Sequence, residues 1–308
     1  MNNYTLDSAQ NKKYTLDEAY AFCTDITQKH YENFPVASLF LPAEKRPFVQ
    51  AIYAFSRIAD DFADEEGLDQ QTRLQRLDDW ENALKLCYEG KAEHPVFIAL
   101  ADTVSKLSIP IELLMELLKA FRMDVTKNRY ENFEEVLHYC RYSANPIGRL
   151  VLLIFGYGSE EYFKYSDYIC TALQLTNFYQ DVAIDLEKNR IYIPKDEIAE
   201  NEYSEEELKK KIYNKQFENL MKLQIERAKK LFYEGATLPA LVDRDLQLEL
   251  KLVWFGGMAV LRKLEFRKFD VFKKQFKLNT WNKFMIFIRA LFYNDLTKYR
   301  KRSLWELT

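Results

Sequence analysis

Asp60, Asp61 and Asp64 fall in the stretch Ser56-Arg57-Ile58-Ala59-Asp60-Asp61-Phe62-Ala63-Asp64. On a helix turning about 100° per residue, the three carboxylates occupy roughly a 100° sector, with Arg57 and Tyr53 one and two turns earlier on the same side. Like charges at this spacing cost about 0.2–0.5 kcal/mol per pair, so open solvent or a cation must offset them. Hard oxygen ligands of this kind suit Mg²⁺, which keeps several waters and completes its shell with substrate phosphates. A second face of the same kind follows: Gln174, Asn177, Asp181 and Asp185 succeed one another at steps of three or four residues. Between the acids lie Phe62, Ala63, Val182, Ala183 and Ile184. Apolar neighbours of that sort are unlike those of a solvated charge run.

The elements that must position these residues read as helices. Thr15 and Glu18 form a T-x-x-E capping box, so the first helix is expected to start at Leu16, with residues 1–13 as a flexible tail. A loop punctuated by Pro35, Pro42 and Pro47 precedes the helix of the first motif, which Gly67 closes. Further helices are expected over 71–89, 95–106 and 110–129. Another runs from 133 to 155, kinked where Pro146 removes the donor to the carbonyl of Tyr142. Residues 159–188 are expected to form one helix carrying the second motif, and the acidic segment 196–207 a solvated loop. Period-2 alternation does not persist anywhere, so the fold class is all-α.

Composition bounds the rest. The 308 residues are 48% apolar and 30% charged, with only eight Gly and eight Pro, which favours one globular domain over 14–308 without an extended linker. The 22 Phe and 20 Tyr are read either as a filled core or as the wall of an apolar cavity that stabilises carbocations. Cys23, Cys87, Cys140 and Cys170 form no CxxC, and no zinc site is written. The polar start, Met1 to Lys13, has no signal-peptide pattern, so reduced thiols in a cytoplasmic protein are expected. Walker and GxGxxG loops are missing, which argues against a nucleotide-binding domain.

The two motifs, with the segments around them, resemble the squalene/phytoene synthase family. Glu32-Asn33-Phe34-Pro35-Val36-Ala37-Ser38, Ala51-Ile52-Tyr53-Ala54-Phe55-Ser56-Arg57, Tyr139-Cys140-Arg141-Tyr142-Ser143-Ala144-Asn145-Pro146-Ile147-Gly148-Arg149 and Asn189-Arg190-Ile191-Tyr192-Ile193-Pro194 stand in the family's order, within roughly residues 15–265. The Phe-Pro-Val-Ala-Ser, Ser-Ala-Asn-Pro and Gln-Asp segments are more similar to the hydroxysqualene synthase branch of the hopanoid pathway than to phytoene synthase. The resemblance implies a single-domain isoprenoid synthase bundle around a central apolar cavity. Two aspartate-rich helices would face each other across it and hold Mg²⁺ against an allylic diphosphate. Asp60, Asp61, Asp64, Asn177, Asp181 and Asp185 would be the metal ligands, and Arg57 and Arg190 would grip phosphate oxygens. Tyr53, Tyr139 and Tyr192 would lie near the reacting carbons or the diphosphate, or else be core aromatics. Gln174 would line the cavity, and Phe34 and Ser38 would contribute substrate contacts from the loop.

One departure bears on the reaction. Many family members carry Arg immediately before the first Asp of the second motif, where this chain has Gln180. That favours a single diphosphate substrate: presqualene diphosphate, ionised and captured by water to give hydroxysqualene, with no requirement for NADPH. Asn145, beside the helix-breaking Pro146, offers an amide that could hold the water, or the pair only reshapes the pocket. The alternative is condensation of two farnesyl diphosphates to presqualene diphosphate, squalene or dehydrosqualene. Outside the family stand an all-α Mg²⁺-dependent nucleotide pyrophosphohydrolase and a non-catalytic membrane-peripheral scaffold.

The C-terminal part differs in charge, with thirteen Lys or Arg against three Asp or Glu over residues 262–302, a balance of +10 in a chain whose total is −3. Phe266, Phe269, Phe272, Phe276, Trp281, Phe284, Phe287 and Phe292 are interleaved with these charges. Two readings stand: contact with the inner face of the cytoplasmic membrane, or a helix pair that closes the core. No nucleic-acid motif accompanies the charge. Other hopanoid-pathway enzymes are the remaining partner class that the resemblance implies.

Overall fold

The computed structural model describes residues 13–29, 41–65, 67–273, 279–293 and 295–301. Phe34, Ser38 and the Phe-Pro-Val-Ala-Ser loop, and residues 1–12 of the expected tail, lie outside them. Within the described residues every regular element is helical: α1 Leu16–Lys29, α2 Arg46–Asp64, α3 Gln70–Tyr88, α4 Pro95–Leu107, α5 Ile111–Thr126, α6 Phe133–Ser143, α7 Asn145–Ile154, α8 Glu160–Gln180, α9 Val182–Glu187, α10 Lys195–Glu200, α11 Glu205–Lys209, α12 Lys215–Gly235, α13 Leu238–Leu241, α14 Arg244–Phe266, α15 Thr280–Phe292, and a 3₁₀ turn, Leu296–Lys301. Contacts gather the chain into two compact units, 1–127 with 149–158, and 128–148 with 159–308.

In the first unit, α1 begins at the expected capping box: the Glu18 carboxylate accepts from the Thr15 N–H at 2.9 Å and the Glu18 N–H donates to the Thr15 hydroxyl at 3.3 Å. Pro47 stands in the first turn of α2, where a missing N–H costs nothing, and not in the loop before it. Helices α1, α2 and α4 pack on one another, and α3 and α5 close on α2. Their shared core is aromatic. Trp80, fully buried, stacks on Phe55, meets the Phe62 ring edge-on, and donates its indole N–H to the Phe55 carbonyl at 3.3 Å. Removing a buried ring of that size costs about 3–5 kcal/mol, so α3 is held by its inner face although its outer face is polar.

The second unit is built on α8 and α12, which pair along most of their lengths, with α14 packed on both. Gly257 in α14 permits the close approach: a Cβ there would stand 2.2 Å from the Phe232 ring of α12. On the other side of α8, Gly148 leaves room for Ser166 and Cys170, which a Cβ would meet at 2.3 and 2.4 Å.

Three boundaries differ from expectation. Helix α5 ends at Thr126, because the backbone of 128–131 serves 191–196 instead: Ile191 N–H donates to Asn128, Lys195 to Tyr130 and Asp196 to Glu131, at 3.0, 3.0 and 3.1 Å. The helix expected over 159–188 is interrupted at Asp181, whose φ of −103° and ψ of 12° separate α8 from α9. The acidic segment 196–207 is no solvated loop. It forms α10 and α11, and Glu197 is buried, ion-paired with Arg227 at 2.5 Å while that guanidinium lies 3.7 Å over the Phe133 ring. The expected kink at Pro146 is present as a break: α6 stops at Ser143, and Ala144 (φ −116°, ψ −45°) joins it to α7.

Candidate active site

Both acidic motifs sit at the C-terminal ends of long helices. Asp60, Asp61 and Asp64 fill the last turns of α2, and Asp181 and Asp185 follow the end of α8. There the helix dipole presents its negative end, and a carboxylate is disfavoured by about 0.3–1 kcal/mol. Local helix energetics do not select these residues; cations must offset them. In the first unit the protein supplies some itself. Arg57 pairs with Asp60 at 3.2 Å and with Asp61 through its other terminal nitrogen. Arg73 donates to the Ala63 carbonyl at 3.0 Å, and Arg76 pairs with Glu65, which ties down the end of α2. Burial, with Asp60 and Asp61 adding to it against the opposing Arg57, pushes the Tyr53 phenol above its ordinary pKa. Asp60, Asp61 and Asp64 are all half-buried, so the face is in reach of a ligand without being desolvated.

In the second unit, Asn177 is exposed, and Gln174, Asp181, Asp185 and Arg190 are half-buried. The turn after α9 brings Arg190 back toward Asp185, whose carbonyl accepts the Arg190 N–H at 2.8 Å. That turn needs Asn189 in the left-handed region (φ 56°), which Asn tolerates better than most residues. Arg129 clamps it, donating to the Asn189 carbonyl at 2.5 Å and to its side-chain oxygen at 2.8 Å. The same guanidinium, then Lys209, hold the Glu205 carboxyl down at about 2.

Asp185, Arg190 and Tyr192 line a small surface recess with Phe178, Val182, Ile191 and Leu208. Behind it stand four rings. Phe178 and Tyr192 stack with centroids 3.7 Å apart and planes 5° apart; Tyr139 lies 5.8 Å from each, and Tyr130 lies 5.6 Å from Tyr192 and 6.0 Å from Tyr139. Tyr192 therefore reaches the recess and belongs to the ring cluster, whereas Tyr139 is buried within the cluster. Tyr130 escaped the sequence reading because only the backbone pairing of 128–131 with 191–196 brings it there.

At the break between α6 and α7, the Asn145 side-chain oxygen accepts from the Thr171 hydroxyl at 2.9 Å. That fixes the amide and leaves its NH₂ to donate. Ser143, one turn after Tyr139, keeps its hydroxyl oxygen buried with no hydrogen-bond partner. A second orphan is Glu249 on α14, 5% exposed, with both carboxyl oxygens buried and unpartnered. Its sequence signal, a lone acid between Leu248 and Leu250, was available and passed over.

Among the described residues no group of three or more His, Cys, Asp or Glu side chains is gathered closely enough to hold a metal ion. The donor set still fits Mg²⁺ in kind: carboxylate oxygens and the Asn177 amide are hard ligands, and the ion takes only one or two carboxylates when waters and phosphates fill its shell.

An all-helical protein whose long helices end in acidic faces, one backed by stacked rings, falls in the class of all-α isoprenoid synthases. Residues 27–282 match the family model described as squalene/phytoene synthase, and the chain belongs to that family as a prenyltransferase-type enzyme. It is 37% identical over 238 residues to the hydroxysqualene synthase of Sinorhizobium fredii, covering 77% of this chain and 80% of that one. With the phytoene synthase of Arthrospira platensis it shares 28% over 284 residues, 88% of this chain and 92% of the other. The crystal structure of squalene synthase HpnC from Alicyclobacillus acidocaldarius superposes with a TM-score of 0.80 at 37% identity, over 83% of this chain and 96% of that one.

Proposed function

We propose that the enzyme ionises presqualene diphosphate and that water captures the resulting cation, giving hydroxysqualene and diphosphate. The observation that carries this reading is the recess where Asp185 and Arg190 stand beside the ring cluster of Phe178, Tyr192, Tyr139 and Tyr130. A substrate with an anionic leaving group on a hydrocarbon that turns cationic needs both surfaces. Mg²⁺ ions, held by Asp60, Asp61 and Asp64 in the first unit and by Asn177, Asp181 and Asp185 in the second, would neutralise the leaving group as charge develops. Arg57 and Arg190 bind phosphate oxygens through their planar guanidinium forks. The rings present their negative faces to the cation and exclude bulk water. Ser143 and the Asn145 NH₂, at the helix break, hold the one water that reacts. Gln174 on α8, Tyr53 on α2, and Phe34 and Ser38 of the preceding loop complete the substrate contacts.

Incubation with presqualene diphosphate and Mg²⁺ in ¹⁸O-water, with and without NADPH, tests the reading. Labelled hydroxysqualene in both cases is the expected result, with a shift toward unhydroxylated polyene in Ser143→Ala and Asn145→Ala. Squalene formed only with NADPH, or hydroxysqualene without label, overturns it. The breadth of the match to the phytoene synthase favours a second reading, condensation of two prenyl diphosphates. Turnover of farnesyl diphosphate alone to a C30 product would establish that one.

A further inference from the structure

Helix α15 shows solvent an apolar face. Trp281 is 66% exposed, Phe284 50%, Leu291 46% and Phe292 78%, and Ile288 is half-buried among them. At about 100° per residue these five side chains fall within roughly a 100° sector. The opposite side carries the buried Ile286 and Ala290 and packs on α14. So the segment closes the core with one face only. Phe266, at the end of α14, is 89% exposed. Monomeric proteins seldom expose contiguous apolar surface of this kind without a binding role.

The charge around the stripe says what covers it. Arg267, Lys268, Lys273 and Lys283 are exposed. The three acids of 262–302 are each engaged by a lysine: Glu265 with Lys229, Asp270 with Lys273 at 2.8 Å, and Asp295 with Lys298 at 3.3 Å. None is left to repel an anionic surface. Thirteen residues make a helix of about 20 Å, and no helix among the described residues is long and apolar enough to cross a membrane.

We propose that α15 and Phe266 form an interfacial docking surface for an anionic lipid bilayer. The helix lies in the plane of the membrane, with Trp281, Phe284, Leu291 and Phe292 at the boundary of headgroups and acyl chains and the basic residues among the phosphates. This holds whichever diphosphate the enzyme consumes, and the vesicle-binding measurements that decide it need no substrate.

The full chain is sedimented with vesicles of phosphatidylglycerol and phosphatidylcholine, or of phosphatidylcholine alone. Binding to the anionic vesicles is expected, falling at least tenfold in W281S/F284S and severalfold when salt is raised from 0.1 to 0.5 M. These side chains are exposed, so the variant should keep the wild-type circular dichroism and its turnover of detergent-solubilised substrate. A second measurement uses Trp305→Phe protein and brominated lipid. Trp80 and Trp254 are fully buried, so quenching reports Trp281, and it is expected. Wild-type protein that ignores anionic vesicles, a double variant that binds as well as wild type, or emission that brominated lipid leaves unquenched overturns the proposal. So does a dimer that ignores vesicles and falls apart in W281S/F284S, because the stripe would then face a second copy of the chain.

Discussion

Replacing Glu249 with Gln should leave the protein little changed in acid and make it markedly more stable above neutrality. Both carboxyl oxygens of Glu249 are buried without a partner, and burial pushes the group from its ordinary 4.5 to about 7. Below pH 4.5 it is protonated whether the chain is folded or not and contributes nothing to pH dependence. Between 4.5 and 7 only the unfolded chain releases the proton, so stability falls as pH rises; above 7 both states are ionised and the loss is complete. At about 1.4 kcal/mol per pH unit, the full loss is about 3 kcal/mol, of which less than ~1 kcal/mol has accrued by pH 5. Gln fills the same space and does not titrate, so whatever its own burial costs is the same at both pH values. The advantage of the variant should therefore grow by about 2–3 kcal/mol between pH 5 and pH 8. Urea midpoints followed by circular dichroism, at half-unit steps of pH and with unchanged denaturant slopes, measure it. Parallel pH profiles for variant and wild type would refute the reasoning and mean that Glu249 finds a partner or water.

His94 should give the opposite slope: burial among Phe22, Trp80 and Phe97 pushes it down from 6.5 to about 4. Its stabilisation is present above 6.5 and is lost as pH falls toward 4, by about 3 kcal/mol. His94→Asn, which can still cap the Val96 N–H, should flatten that limb; an acid limb as steep as wild type would exclude His94 as its source. Asp61→Asn should lower turnover by about 100-fold or more and weaken Mg²⁺-dependent diphosphate binding in calorimetry, while stability moves by no more than about 1 kcal/mol. Wild-type turnover in that variant would remove Asp61 from the site. Gly257→Ala should destabilise by about 1–3 kcal/mol, read as a lower urea midpoint, because Phe232 is itself fully buried and has nowhere to move.

Helix existence was legible in the sequence wherever the signal was local. The Thr15–Glu18 box, the proline after His94 and the glycine at 90 each act through backbone groups within a turn of themselves, and α1, α4 and α3 start or stop where they direct; α2 stops at Asp64, short of Gly67. Helical spacing likewise puts Asp60, Asp61 and Asp64 on one side of α2, whereas the break at Asp181 leaves Asn177 and Asp185 on separate helices. Where a segment's partners lie far off along the chain, local reading had no access to the answer. Residues 127–129 leave the expected helix because the carbonyls of Asn128, Tyr130 and Glu131 are taken by 191–196, and Glu197 leaves solvent because Arg227, thirty residues on, desolvates with it. The tertiary structure also decided which of two faces counts. Periodicity marked α15 as amphipathic and basic, but only packing on α14 shows that Ile286 and Ala290 are its inner side and that Trp281 and Phe292 are left outside. Burial is a property of what surrounds a side chain, and for residues on both sides of a helix rich in apolar groups the sequence holds no term that chooses between them.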